Sequence, residues 1–139
     1  MRVLGLDVGE RRIGVALSDV LGITAQRLTV LERRGALAQD LAAIAALVAG
    51  HQVEAVVVGL PLTMQGHMGD QANRMMQFVE ALRGALACPV DVLDERLTTV
   101  QGERSLLETD ASRRTRKRLI DQVAAQLILQ AYLDSHAKR

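Results

Sequence analysis

The chain of 139 residues has one cysteine, Cys88, and no tryptophan. A lone thiol excludes an internal disulfide and any zinc site built on cysteine, and it fits a reducing compartment. Its only aromatic residues are Phe78 and Tyr132. Rows of aromatic rings that stack bases are therefore excluded, and any nucleic acid must be held mainly through backbone charge and shape. Residues 41–53 and 55–69 are the longest stretches without charge. Both fall short of the roughly 18–20 apolar residues of a membrane helix, so no membrane association is expected. Asp7 and Glu10 stand where a secretory signal would need an apolar run, and a cytoplasmic protein is expected. Phosphate-loop, dinucleotide-binding, HExxH and GxSxG motifs are all missing. No histidine lies near Ser18 or Ser105, which argues against a nucleophilic triad, and His51, His67 and His136 lack ligand spacing.

With 49% apolar and 24% charged residues, the chain has the composition of a globular domain, and its length predicts a single one spanning residues 1–139. The net charge of +1 hides a segregation. Residues 51–100 carry three cations and six acids, whereas residues 101–139 carry eight cations and five acids. The basic excess peaks at Arg113, Arg114, Arg116, Lys117 and Arg118, and fifteen of the seventeen cations are arginine, the side chain that grips phosphate bidentately. Such a run is equally the mark of a solvated helix start. With Arg11 and Arg12 it forms the candidate nucleic-acid contact.

Hydrophobic patterning predicts strands at 2–8, 12–18, 23–31, 53–58 and 90–93. Helices are predicted at 35–50, at 70–86 with Asp70 as N-cap, from Thr98 to about 109 behind a Thr98/Gln101 capping box, and from about 115 to 137. Three leading strands with tight turns, followed by βα units, imply a mixed α/β sheet flanked by helices; its strand order is left open.

Three carboxylates stand where a site should form. Asp7 ends the first strand, Glu95 follows a later parallel strand, and Asp121 lies at the edge of the last helix's apolar stripe (Ile120, Val123, Ala124, Leu127, Ile128 and Ala131). Each has an ordinary structural explanation: an Asx turn for Asp7, a pair with Arg96 for Glu95, a pair with Lys117 for Asp121. Together, oxygen ligands without cysteine suit one or two Mg²⁺ or Mn²⁺ ions. Two such ions can drive phosphodiester hydrolysis.

Four ordered segments carry a family resemblance: Asp7-Val8-Gly9 with Arg11-Arg12-Ile13-Gly14-Val15-Ala16; Val58-Gly59-Leu60-Pro61-Leu62 followed by Gly66; Asp94-Glu95-Arg96-Leu97-Thr98-Thr99; and Ile120-Asp121-Gln122-Val123-Ala124-Ala125. Over nearly the whole chain this resembles the YqgF (RuvX) family, the RuvC-like branch of the RNase H-like nucleases. The resemblance implies an RNase H-like fold with a five-stranded mixed sheet. It also implies a metal-dependent nuclease acting in Holliday junction resolution or in 5′-end maturation of pre-16S rRNA. By motif match Asp7, Glu95 and Asp121 become the catalytic, metal-binding carboxylates. Unlike the related RuvC resolvases, which place two acids three residues apart on the last helix, this chain has Arg118 before Asp121 and Ala124 after it. A fourth ligand is unassigned. Branched DNA and pre-rRNA both stay open as partners, as do monomer and homodimer. The competing readings are a non-catalytic nucleic-acid-binding or ribosome-assembly factor and, less compatible with this length, an actin-like ATPase.

Overall fold

In the computed structural model, residues 1–98 and 113–136 are described, the side chains of 113–116 excepted. Strands β1 (Val3–Val8), β2 (Arg12–Ser18) and β3 (Ala25–Glu32) lead into helix α1 (Leu37–Gly50). Strand β4 (Ala55–Leu60), helix α2 (Asp70–Ala85), strand β5 (Val90–Asp94), a single 3₁₀ turn (Glu95–Leu97) and helix α3 (Arg113–His136) follow. The five strands form one sheet in the order β3-β2-β1-β4-β5. β1, β2 and β3 pair antiparallel, and β4 and β5 join parallel to β1 and to β4. The expected mixed sheet is present, and its order is now fixed.

Side chains alternate across each strand, so the sheet has two distinct faces. Leu4, Leu6, Val8, Ile13, Val15, Val56, Val58 and Leu60 pack with Ile44 of α1 and Ala72, Met75, Phe78, Val79 and Leu82 of α2. Val3, Ala16, Ala25, Ala55, Val57 and Leu93 pack on the opposite side with Ala124, Ala125, Ile128, Leu129, Tyr132 and Leu133 of α3. The central strands β1 and β4 are buried along their whole length, as their continuous apolar runs predict.

Four expectations need adjustment. Asp70 is the first helical residue rather than the cap: Gly69 occupies the N-cap position and has no side chain to offer. The third strand begins at Ala25, because Asp19 Oδ1 accepts from the amides of Ile23 and Thr24 and turns the chain there. The stripe of α3 that meets the sheet runs through Ala124, Ala125, Ile128, Leu129, Tyr132 and Leu133; it keeps Ala124 and Ile128 of the expected stripe, but its centre is turned by about 120°. Lastly, the helix predicted between Thr98 and residue 109 lies outside the described residues, apart from Thr98 itself, which ends the 3₁₀ turn.

A candidate carboxylate active site at the strand ends

Asp7 is the penultimate residue of β1 and stands in register with Gly14 of β2. Paired residues of a sheet project to the same face, and for these two that is the face covered by α3. A Cβ placed on Gly14 would come within 2.0 Å of the Asp121 carbonyl oxygen. The backbone of α3 therefore rests directly on the sheet at Asp121, and only a residue with no side chain allows it. Gly5 repeats the arrangement two strand positions before Asp7, where a Cβ would meet Leu129 Cβ at 2.7 Å. The rotated stripe of α3 follows from these seats. Small Ala125 faces the glycines, and Asp121, one turn earlier, falls near the middle of the buried face rather than on its edge.

Glu95 opens the 3₁₀ turn that follows β5. The Asp94 side chain caps that turn by accepting from the Arg96 amide (2.9 Å) and holds the Arg96 guanidinium at 2.6–3.1 Å. The hydrogen bonds from the Arg96 side chain hold the Asp94 carboxyl below its ordinary pKa. Arg96 thus pairs with Asp94, and Glu95 lies over Gly59, whose missing Cβ leaves room for it at 3.0 Å.

Asp7, Glu95 and Asp121 come together on one cleft of about 290 Å³. Gly9, Arg12, Gly59, Pro61 and Lys117 also line it. Asp7 is buried, 7% exposed, whereas the Asp121 side chain is 17% exposed and accepts from Arg12 Nε at 2.8 Å. Asp121 thus pairs with Arg12 of β2, on the face that α3 covers, rather than with Lys117 one turn earlier. Among the described residues, no three histidine, cysteine, aspartate or glutamate side chains stand close enough to share one ion. In this arrangement Asp121 is engaged by an arginine, and the donor chemistry of the cleft, carboxylate oxygen without thiol or imidazole, is that of a hard cation.

The candidate cations separate. Arg12 and Lys117 line the cleft, and Arg118 stands beside it, bonded to Glu32 at 3.0 Å. Arg11 is exposed and does not line the cleft; its backbone carbonyl accepts from the Arg33 amide. Arg113, Arg114 and Arg116 begin α3, and their side chains lie outside the described residues. Sequence reasoning missed Arg33 and Arg34, which the end of β3 carries to the same corner. The Arg33-Arg34 pair was visible as a short basic step, but its nearness to Lys117 and Arg118 depends on strand register.

The RuvX family, described as Holliday junction resolvase, matches residues 1–135. A protein of Moorella thermoacetica named pre-16S rRNA nuclease is 56% identical over 96% of this chain and 95% of its own length. Relatives bearing the same name in Syntrophomonas wolfei and Myxococcus xanthus are 53% and 51% identical, over 96% and 98% of this chain and 94% and 89% of theirs. Among solved structures, Thermus thermophilus RuvC in complex with a Holliday junction superposes with a TM-score of 0.61 at 19% identity, covering 98% of this chain and 96% of that one. At that identity the likeness establishes the fold, which is RNase H-like as the motifs implied. A family match over nearly the whole length, together with relatives at half identity, makes this chain a member of the RuvX family.

Proposed function

We propose that this protein is a metal-dependent endonuclease that hydrolyses phosphodiester bonds in structured nucleic acid, with Asp7, Glu95 and Asp121 as its metal-binding carboxylates. The observation that carries this reading is the convergence of three acids from three separate elements on one cleft, one of them seated by a glycine-to-backbone contact. The family description and the relatives' name supply the substrate candidates, a four-way DNA junction and the 5′ leader of pre-16S rRNA.

The donor set fits Mg²⁺ or Mn²⁺, which when bound supplies an activated water and neutralises charge on the phosphodiester. The chain's own residues do the rest. Asp7 is fixed by a buried strand, so its carboxylate has little freedom to lose on binding. Glu95 is aimed by the Asp94-capped turn and the space over Gly59. Asp121 is delivered by α3 and must exchange Arg12 for a ligand. Arg12 and Lys117, on the same cleft, can then take phosphate oxygens.

Both substrates should be tested with one preparation, with and without Mn²⁺. Wild type is expected to cut at least one of them only with metal. Asp7→Asn and Glu95→Gln should each lower the rate by at least about 10²-fold, since metal-held charge stabilisation is worth several kcal/mol. Binding without cleavage, the same in wild type and Asp7→Asn, would replace this reading with that of a non-catalytic assembly factor.

A further inference from the structure

Next to the carboxylate cleft is a second hollow of about 450 Å³, lined by Arg12, Glu32, Arg33, Arg34, Lys117 and Arg118. Three elements build it. Arg12 opens β2 and stands in register with Glu32 at the end of β3, and the Arg33 amide donates to the Arg11 carbonyl (2.8 Å), closing the two strand ends together. Since Arg12 projects to the same face as Gly14, it and Glu32 meet the first turns of α3. That is why Arg12 reaches Asp121 and Glu32 reaches Arg118.

Five cations and one acid in a single groove are not a balanced surface network. Arg12 is held by Asp121, Arg33 by Asp40, and Arg118 by Glu32. Arg34 and Lys117 have no carboxylate partner among the described residues. Two uncompensated cations so close to three others repel one another, and the repulsion is relieved when an anion enters. Four of the five are arginine, whose fork matches phosphate oxygens. The groove is also continuous with the reaction cleft, because Arg12 and Lys117 line both.

Resting on the nuclease reading for what enters the cleft, we propose that this groove is a phosphate subsite. It holds the nucleic-acid backbone beside the reacting phosphodiester, through Arg34 and Lys117, with Arg118 recruited from Glu32. Glu32 then acts as a built-in competitor: it occupies Arg118 until a phosphate displaces it. This sets the groove apart from a generally basic surface, because removing one specific acid should tighten binding.

The test measures affinity by fluorescence anisotropy without divalent metal, from 50 to about 200 mM KCl. Its two arms are a pre-16S 5′-leader RNA and a four-way DNA junction. Arg34 and Glu32 are both exposed, so their variants should keep the wild-type melting curve. Arg34→Gln is expected to weaken binding about threefold to tenfold and to reduce the log–log salt slope by about one, with Arg34→Lys restoring most of both. Glu32→Gln is expected to bind more tightly than wild type, with a steeper slope. In cleavage assays the Arg34→Gln loss should fall mainly on KM. An effect in only one arm assigns the subsite to that polymer. Unchanged affinity and slope in both variants would overturn the subsite while leaving the nuclease reading standing. Altered binding in a protein that cuts neither substrate would keep the subsite and overturn the nuclease.

Discussion

The two faces of the sheet are built on opposite rules. Toward α1 and α2 the strands present leucine, isoleucine and valine, and helix and sheet are held apart by full side chains. Toward α3 they present Gly5, Gly14, Ala16, Ala55 and Gly59, and the helix backbone comes down onto the strands. The first face maximises apolar burial, at roughly 25 cal/mol per Å². The second gives up some of that burial, and in return a carboxylate on a helix comes to stand beside carboxylates on strand ends. The larger aliphatic core lies on one side of the sheet and the candidate carboxylates Asp7 and Asp121 on the other.

The sharpest way to break this division is Gly14→Ala. The new methyl would have to share space with the Asp121 carbonyl, a backbone atom that cannot rotate aside, so α3 must lift. A loss of about 3 kcal/mol or more in urea unfolding is expected, together with loss of cleavage in whatever fraction still folds. Ile44→Ala is the matched change on the other face, where a fully buried side chain of α1 leaves a cavity. It should also cost about 2–5 kcal/mol, yet the folded protein should cleave at the wild-type rate per molecule. If both variants lose stability and activity in parallel, the two faces are not divided as described.

Much of this architecture was legible from local pattern. The five strands and the mixed sheet follow from hydrophobic period and turn signals, and Asp7, at the end of an apolar run, stood out as a candidate beside its reading as an Asx-turn residue. What was not legible depends on which strands lie side by side. The stripe of α3 was misplaced because hydrophobicity favours Ile120, Val123 and Leu127. The sheet instead selects residues that fit over glycine, and it admits Tyr132 because its hydroxyl donates to Asp91 Oδ2 at 2.6 Å. Arg12 was read as a phosphate ligand; its bond to Asp121, 109 positions along the chain, follows only from the β1–β2 register and the seat on Gly14. The basic groove escaped for the same reason, being assembled from residues more than eighty positions apart.

An arginine–aspartate bridge on each face sharpens the comparison. On the α1/α2 side Arg33 Nε donates to Asp40 (2.9 Å), Arg33 Nη1 donates to the Gly9 carbonyl (2.6 Å), and the guanidinium lies 5.4 Å from the centre of the Phe78 ring. Asp40 is only 5% exposed. This bridge ties the end of β3 and the turn after β1 to α1. Asp40→Ala should cost about 2 kcal/mol in chemical unfolding, below the full penalty for a buried pair because Arg33 keeps its other contacts and some water. Its effect on Mn²⁺ binding should be negligible, and a large change there would show that the two bridges are coupled.

The bridge on the α3 side should behave in the opposite way. Arg12 and Asp121 are 22% and 17% exposed at the mouth of a cleft, so water and salt weaken the pair. Arg12→Gln is expected to lower the stability of the metal-free protein by no more than about 1 kcal/mol. It also frees Asp121 Oδ2 from the cation that would have to leave before a metal ion could approach, and it removes a positive charge from the cleft. Mn²⁺ should therefore raise the melting temperature of Arg12→Gln by more than it raises that of wild type, since stabilisation grows with affinity for the native state. Asp121→Asn supplies the control, because it removes the acceptor itself and should shrink the Mn²⁺ shift below that of wild type. The same Arg12→Gln protein should bind nucleic acid less well, having lost a cation shared by the cleft and the groove. A variant that gains metal affinity while losing substrate affinity would mark Arg12 as a placeholder for the metal and a ligand for the phosphate. Equal Mn²⁺ shifts in wild type and Arg12→Gln would instead make the bridge a plain structural tie, no different in kind from Arg33–Asp40.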